Sequence, residues 1–162
     1  MYETWFLNSS LSPWEIEKLS KINMQSSWKK DDEADFMFNE LTEKNAQAYC
    51  ALIKGMTKHL EVKESLRLYN EMKEKNLIPD LSTFSELIKI YRYVDETNEK
   101  KTDFIMQILN EIKSAGLSPN LMTFNNTLNT ISNFGIDQNS VIFALNILKE
   151  MKNLGIGNIL KN

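Results

Sequence analysis

Two stretches of this 162-residue chain repeat the same ending followed by the same beginning. Residues 77–85 read LIPDLSTFS, and residues 117–125 read LSPNLMTFN. A weaker copy of the beginning, AQAYC, occupies residues 46–50. Three aromatic residues therefore recur at intervals of 35 and then 40 positions: Tyr49, Phe84 and Phe124. A period of this length is typical of solenoids built from helical hairpins.

Each repeat unit contains two segments in which apolar residues recur at helical spacing. In the first unit these are Tyr49, Leu52, Ile53 and Met56, then Val62, Leu66, Leu68, Tyr69 and Met72. We predict hairpins at residues 45–80, 81–120 and 121–159. The extra length of the second hairpin falls in its polar linker, residues 94–101, where it disturbs no packed face.

Turn residues separate the predicted helices. The second helices are predicted to end at Asn76, Gly116 and Gly155, because these residue types adopt a left-handed backbone most easily. Gly55 lowers the helix propensity of a first helix, which is tolerable if a neighbouring helix packs close there. The second helix of the third unit is predicted to carry an apolar set: Val141, Ile142, Ala144, Leu145, Leu148 and Met151.

Residues 1–44 lie outside this pattern and could be the remnant of a preceding repeat. Ser12-Pro13 predicts a helix start, with the helix extending to about Ile22. The acidic run 31–35 predicts the first turn of a helix through Leu41 rather than a calcium loop. The three tryptophans are interpreted as core residues, with base stacking as the alternative.

Composition restricts the possible functions. A net charge of −3 argues against a general nucleic-acid binder, since phosphate contacts need Lys and Arg. The acidity is concentrated in residues 1–44, however, which carry −4, while residues 45–162 carry +1. The single cysteine excludes an internal disulfide and suits a reducing compartment. No stretch approaches about 20 apolar residues, so no membrane span is expected.

The sequence predicts neither catalysis nor a cofactor. The only histidine, His59, falls in a predicted turn, and Cys50 has no partner residues for a metal site. No phosphate-binding glycine-rich loop and no nucleophile elbow is present. We therefore expect a non-enzymatic protein with no metal.

The repeated motifs resemble those of the pentatricopeptide repeat family. They comprise TFS at 83–85, TFN at 123–125, EMK at 71–73 and 150–152, PD at 79–80 and PN at 119–120. The resemblance implies an all-α fold, a right-handed α-solenoid of helix-turn-helix hairpins whose first helices line a concave surface. It covers roughly residues 45–156.

A tighter resemblance links this chain to the pentatricopeptide repeat proteins of the mitochondrial ribosome. It includes WKK at 28–30, FNEL at 38–41 and KGMTKH at 54–59. It implies location in the mitochondrial matrix, contact with rRNA or mRNA and with small-subunit ribosomal proteins, and a role in translation. The family presequence is missing and GNI at 157–159 replaces the usual proline ending, which suggests a partial or alternatively ended chain.

The family reads one RNA base per repeat with two or three side chains. Carried over, its base-facing positions pair Cys50 with Asp80 and Ser85 with Asn120. Asn125 is left with a degraded partner near Ile159. The alternative is that Asp80 and Asn120 simply cap the helices that follow them, which does not exclude base contact.

Four basic residues late on first helices are candidates for phosphate contact: Lys54, Lys58, Lys89 and Arg92. The alternative is a solvated face. Tyr91 and Tyr93 could stack on bases, although Tyr91 continues an apolar stripe and is predicted to be core. Two other functions stay open: a scaffold that binds a helix or extended peptide in its groove, and a mitochondrial RNA-processing factor acting away from the ribosome.

Overall fold

The computed structural model describes residues 38–39, 44–134 and 137–156, and all regular secondary structure within them is helical. The described residues contain six complete α-helices: α1 Ala46–Lys58, α2 Val62–Glu74, α3 Leu81–Ile90, α4 Asn98–Ser114, α5 Leu121–Ser132 and α6 Gln138–Asn153. A short 3₁₀ turn, Tyr91–Tyr93, follows α3. The all-α prediction is confirmed. The chain divides into two compact units, residues 1–77 and 78–162. From here on, the first unit means residues 1–77 and the second unit means residues 78–162, which contains the second and third predicted repeats.

The first helix of each hairpin begins with the same cap. The side chains of Asn45, Asp80 and Asn120 accept hydrogen bonds from the backbone N–H three residues later, at 3.0, 2.7 and 3.0 Å. Each cap satisfies an N–H that has no partner within its helix. Asp80 and Asn120 are therefore helix caps, as the alternative interpretation predicted.

The second helices also end alike. Asn76, Gly116 and Gly155 have φ angles of 54°, 73° and 71°, which confirms the predicted left-handed ends. The next backbone N–H then bonds back to the final turn, at 2.9 Å from Leu77 to Met72 and 3.0 Å from Leu117 to Ile112. These bonds pair carbonyls that the helix leaves unsatisfied.

In the first unit, α1 packs on α2 through fully buried side chains. Tyr49 and Ile53 of α1 and Leu68 and Met72 of α2 are all inaccessible to solvent. The edge of the Phe38 ring meets Tyr49, with ring centroids 5.0 Å apart and an interplanar angle of 76°. The helical periodicity of the sequence identified Tyr49, Ile53, Leu68 and Met72 as members of this core.

In the second unit, α3 and α5 meet along a seam of short polar side chains. The hydroxyls of Ser85 and Thr123 lie 2.9 Å apart, the Asn126 amide donates to Ser85 O at 3.0 Å, and Thr130 donates to Ile88 O at 3.1 Å. Phe84 and Phe124 are buried on these same helices. Hydrogen bonding makes such a polar seam compatible with burial.

The buried side of α6 differs from the predicted apolar set. Four residues are buried: Ser140, Phe143, Ile147 and Met151. Of the predicted set only Met151 is among them, while Val141, Ile142, Leu145 and Leu148 are exposed. The helix carries apolar residues on both sides, so periodicity alone did not distinguish the side that packs inward.

The interpretation of Gly55 also needs correction. Among the described residues no atom lies within 4 Å of a Cβ added to Gly55, so close packing by them does not account for this glycine. The predicted helices starting at Ser12 and at the acidic run 31–35 lie outside the described residues. No helix of the described part is long and apolar enough to cross a membrane.

Replacing Gly55 with alanine is expected to raise the free energy of unfolding by about 0.5–1 kcal/mol, because alanine favours the helix and has space here. Replacing Gly116 with alanine is the matched contrast. Its φ of 73° disfavours any side chain, so the variant should lose about 1–2 kcal/mol. Urea denaturation of both variants measures this. If both substitutions changed the free energy of unfolding equally and in the same direction, Gly55 and Gly116 would not differ in backbone conformation as described.

Candidate nucleic-acid interface

The positions predicted to face bases are not equally accessible. Cys50 and Ser85 are buried, and Ser85 has no exposed surface. The Ser85 hydroxyl bonds to Leu81 O at 2.9 Å and pairs with Thr123. Asn125 is exposed on α5. Contact between Ser85 and a base would therefore require α3 and α5 to separate locally, whereas Asn125 is accessible as it stands.

Asp80 and Asn120 combine a structural role with partial accessibility. Asn120 is exposed and Asp80 is half-buried. The Asn120 cap uses Oδ1, which accepts from both the backbone N–H and the hydroxyl of Thr123. Since the cap employs only the oxygen of this carboxamide, the Asn120 Nδ2 can still donate to a ligand.

The four candidate phosphate contacts lie at the ends of two helices. Lys54 and Lys58 belong to the last turns of α1, with Lys58 exposed. Lys89 lies at the end of α3 and pairs with Glu86 at 3.0 Å. Arg92 follows in the 3₁₀ turn. Within the second unit, Lys89 and Arg92 therefore supply two cations close together in the chain.

Arg92 and Tyr93 form a stacked pair at the surface. The guanidinium carbon of Arg92 lies 4.6 Å from the centroid of the Tyr93 ring, and the two side chains are also hydrogen-bonded. Tyr93 is 46% exposed. The Arg92 Nε is buried and has no hydrogen-bond partner within the described residues, so only the outer part of this guanidinium is accessible. A planar cation beside an exposed ring is a surface on which a base can stack.

The neighbouring Tyr91 has a different role. Its ring is stacked on Phe104 with centroids 3.7 Å apart, and burial raises the pKa of its hydroxyl. Lys101, which the sequence reasoning missed, donates to Arg92 O at 3.3 Å. Lys101 lies nine residues beyond Arg92 and on a different helix. Its contact with Arg92 therefore depends on the turn between α3 and α4, which spacing within one helix does not predict. Tyr93 rather than Tyr91 is accessible for stacking.

The first unit contains a polar cluster of a different kind. The buried Tyr49 hydroxyl donates to Glu71 at 2.5 Å and accepts from Lys75 at 2.5 Å, and Lys75 also reaches Glu71 at 2.9 Å. The Tyr49 and Lys75 hydrogen bonds lower the pKa of Glu71 to about 2. These contacts tie Glu71 and Lys75 of α2 to the core residue Tyr49.

The second unit also contains an acidic cleft, at the starts of α4 and α6. A cleft of about 470 Å³ is lined by Asn98, Glu99, Thr102, Asp103, Asp137, Asn139 and Ser140. Hydrogen bonds from Ser140 lower the pKa of Asp137, which keeps it ionised. This lining repels phosphate. Within the described residues no cluster of metal-ligating side chains is found.

Comparison with protein families gives three matches. Residues 11–61 match the family described as small ribosomal subunit protein mS39, PPR. Residues 44–91 match the PPR repeat family, and residues 96–133 match the pentatricopeptide repeat domain. Together these matches cover the first predicted hairpin, most of the second and the first helix of the third.

Several curated proteins are similar over most of the chain. Small ribosomal subunit protein mS39 of Mus musculus is 34% identical over 87% of this chain and 21% of its own length. The protein of that name from Drosophila melanogaster is 34% identical over 95% of this chain and 22% of its own length. The chain therefore spans about a fifth of these relatives.

Solved structures support the fold. The pentatricopeptide repeat protein PPR10 in complex with an 18-nucleotide psaJ RNA element has a TM-score of 0.66 at 17% identity, covering 88% of this chain and 20% of that one. PPR10 from maize has a TM-score of 0.59 at 22% identity, covering 91% of this chain and 20% of its own. The helical hairpins are thus of the pentatricopeptide repeat type.

Proposed function

Because this chain belongs to the pentatricopeptide repeat family, we propose that it forms an RNA-contacting part of a small-subunit protein of the mitochondrial ribosome. The similarity to mS39 from several animals supports the ribosomal assignment. The proposed role is non-enzymatic and supports mitochondrial translation. Its proposed partners are mitochondrial rRNA or mRNA and neighbouring ribosomal proteins, and its proposed location is the matrix.

The Arg92–Tyr93 pair is the observation that favours RNA contact. It offers an exposed ring with a cation beside it, and Lys89 lies one turn earlier. Lys54 and Lys58 are proposed to add phosphate contacts from the first unit. For bases, Asn120 and Asn125 are the accessible candidates. The roles of Cys50, Asp80 and Ser85 stay predictions, and Cys50 and Ser85 need local opening.

Replacing Tyr93 with alanine is expected to weaken binding of a single-stranded RNA oligonucleotide by about 5- to 150-fold, the range of one stacked base. Replacing Arg92 with alanine should also reduce the slope of log affinity against log salt by about 1. Fluorescence anisotropy at several salt concentrations measures both effects. Arg67→Ala, an exposed arginine on α2, is the matched control and should change neither.

Two different results would contradict the proposed RNA contact. If the wild-type chain binds RNA tightly and Tyr93→Ala binds equally well, the Arg92–Tyr93 pair is not the contact. If the wild-type chain shows no affinity at low salt, the protein-scaffold function is favoured instead. Sedimentation of the full-length protein with the small ribosomal subunit tests the ribosomal assignment, since a free RNA-processing factor would not co-sediment.

A further inference from the structure

Helix α6 exposes a group of large aliphatic side chains that the RNA interface does not use. Val141, Ile142 and Leu145 are 46%, 49% and 59% exposed. Their spacing of one and then three residues places them together on one side of the helix. We call these three residues the α6 patch. Contiguous apolar surface at helical spacing is characteristic of interaction sites.

Comparison of α6 with α4 shows which exposed residues another hairpin would cover. The buried Ile147 and Met151 of α6 correspond to the buried Ile108 and Ile112 of α4. In the same register, Leu148 corresponds to Leu109, which is only 2% exposed. The Leu148 position is thus one that becomes buried when a hairpin follows, and we exclude Leu148 from the α6 patch.

The positions of the α4 helix that correspond to Ile142 and Leu145 of the α6 patch are not buried by the following hairpin. Ile142 corresponds to Asp103 and Leu145 to Met106, and both α4 residues stay exposed although α5 and α6 follow them. Asp103 lines the open acidic cleft. A further hairpin arranged in the same way would therefore leave Ile142 and Leu145 accessible. Burial by a following repeat therefore does not explain why α6 has an apolar residue, Ile142, at the position where α4 has the charged residue Asp103.

Charge around the α6 patch restricts the partner. Lys149 and Lys152 are exposed on the turns that follow Leu145. The only acidic residue of α6, Glu150, is paired with Lys113 of α4 at 2.6 Å. On α6 the patch is therefore followed by two exposed cations, while the acidic cleft adjoins the start of the helix. The two cations complement an apolar surface bordered by carboxylates.

We propose that the α6 patch docks an amphipathic helix of another protein, whose apolar stripe covers Ile142 and Leu145 and whose Asp or Glu residues meet Lys149 and Lys152. This mode of recognition places aliphatic anchors at helical spacing against an apolar surface. Three large aliphatic residues form too small a surface for a stable homodimer core but suit one helix. The inference does not depend on RNA binding by Arg92 and Tyr93.

Site-specific photo-crosslinking in the full-length protein tests the proposal. A photoreactive phenylalanine analogue is placed at Leu145, with Met106 as the matched control position, and the adducts are identified by peptide mass spectrometry. We expect Leu145 to cross-link to a peptide that has apolar residues at helical spacing and flanking carboxylates, and Met106 to cross-link at least tenfold less. Cross-linking to RNA, to a second copy, to another segment of the same chain, or to nothing overturns the proposal.

A synthetic copy of the cross-linked peptide then provides a quantitative test. Ile142→Asp and the pair Lys149→Glu with Lys152→Glu should each weaken its binding at least tenfold, whereas Met106→Asp should leave binding unchanged. RNA affinity should be unaffected by Ile142→Asp, which separates this surface from the proposed RNA function. Equal binding by Ile142→Asp and the wild type would reject the α6 patch.

Discussion

Replacing Phe124 with alanine is expected to lower the free energy of unfolding by about 3–5 kcal/mol, the usual cost of removing a fully buried phenylalanine ring. Phe124 has no exposed surface and lies on α5, directly beside the polar seam with α3. Chemical denaturation monitored by circular dichroism measures the change.

Two further variants keep this prediction testable if Phe124→Ala does not fold. Phe124→Leu preserves most of the apolar volume and should cost about 1–1.5 kcal/mol. Asn125→Ala changes the adjacent but exposed residue and should cost less than about 0.5 kcal/mol. If Phe124→Leu and Asn125→Ala had the same effect, Phe124 would not be a core anchor of its repeat.

Replacing Glu71 with glutamine is expected to cost about 1–2 kcal/mol at neutral pH and almost nothing near pH 2. The pKa of Glu71 is lowered from 4.5 to about 2 in the folded chain. A carboxylate with a lowered folded pKa stabilises the fold above its unfolded pKa and loses that contribution as pH falls through the folded value. The shift sets an upper limit of about 3 kcal/mol, but the side chain is 28% exposed and solvent screens part of it.

The pH dependence identifies the origin of this stabilisation. Comparison of the wild type with Glu71→Gln at pH 7, 4 and 2 should show the stability difference shrinking between about pH 5 and pH 2. Glu74→Gln, on an exposed neighbouring position of α2, is the control. A difference that persists undiminished at pH 2 would show that Glu71 acts through packing rather than through its charge.

The repeated anchors were predictable because they depend on local patterns. Tyr49, Phe84 and Phe124 each lie four residues after a capping Asn or Asp, and all three are fully buried. A cap fixes where a helix begins, and helical spacing then fixes which side the fourth residue faces. The left-handed ends at Asn76, Gly116 and Gly155 follow from residue type in the same way.

The candidate interface was predictable only in part. The chain position of Arg92 indicated a cation at the end of α3, and Tyr93 was considered for stacking. Their pairing, and the support from Lys101, arise in the turn between α3 and α4. The burial of Ser85 depends on Thr123, 38 residues away. Such contacts depend on how helices meet, which residue spacing within one helix does not encode.

The amino-acid sequence alone determined the aromatic anchors Tyr49, Phe84 and Phe124 and the left-handed ends at Asn76, Gly116 and Gly155, since these depend on interactions within a few turns. The tertiary structure alone decided which side of α6 packs inward and which polar groups stay accessible. α6 has aliphatic residues on two sides, and only contact with neighbouring helices determines which of them are removed from water. The same contacts bury the hydroxyl of Ser85 and leave the ring of Tyr93 exposed.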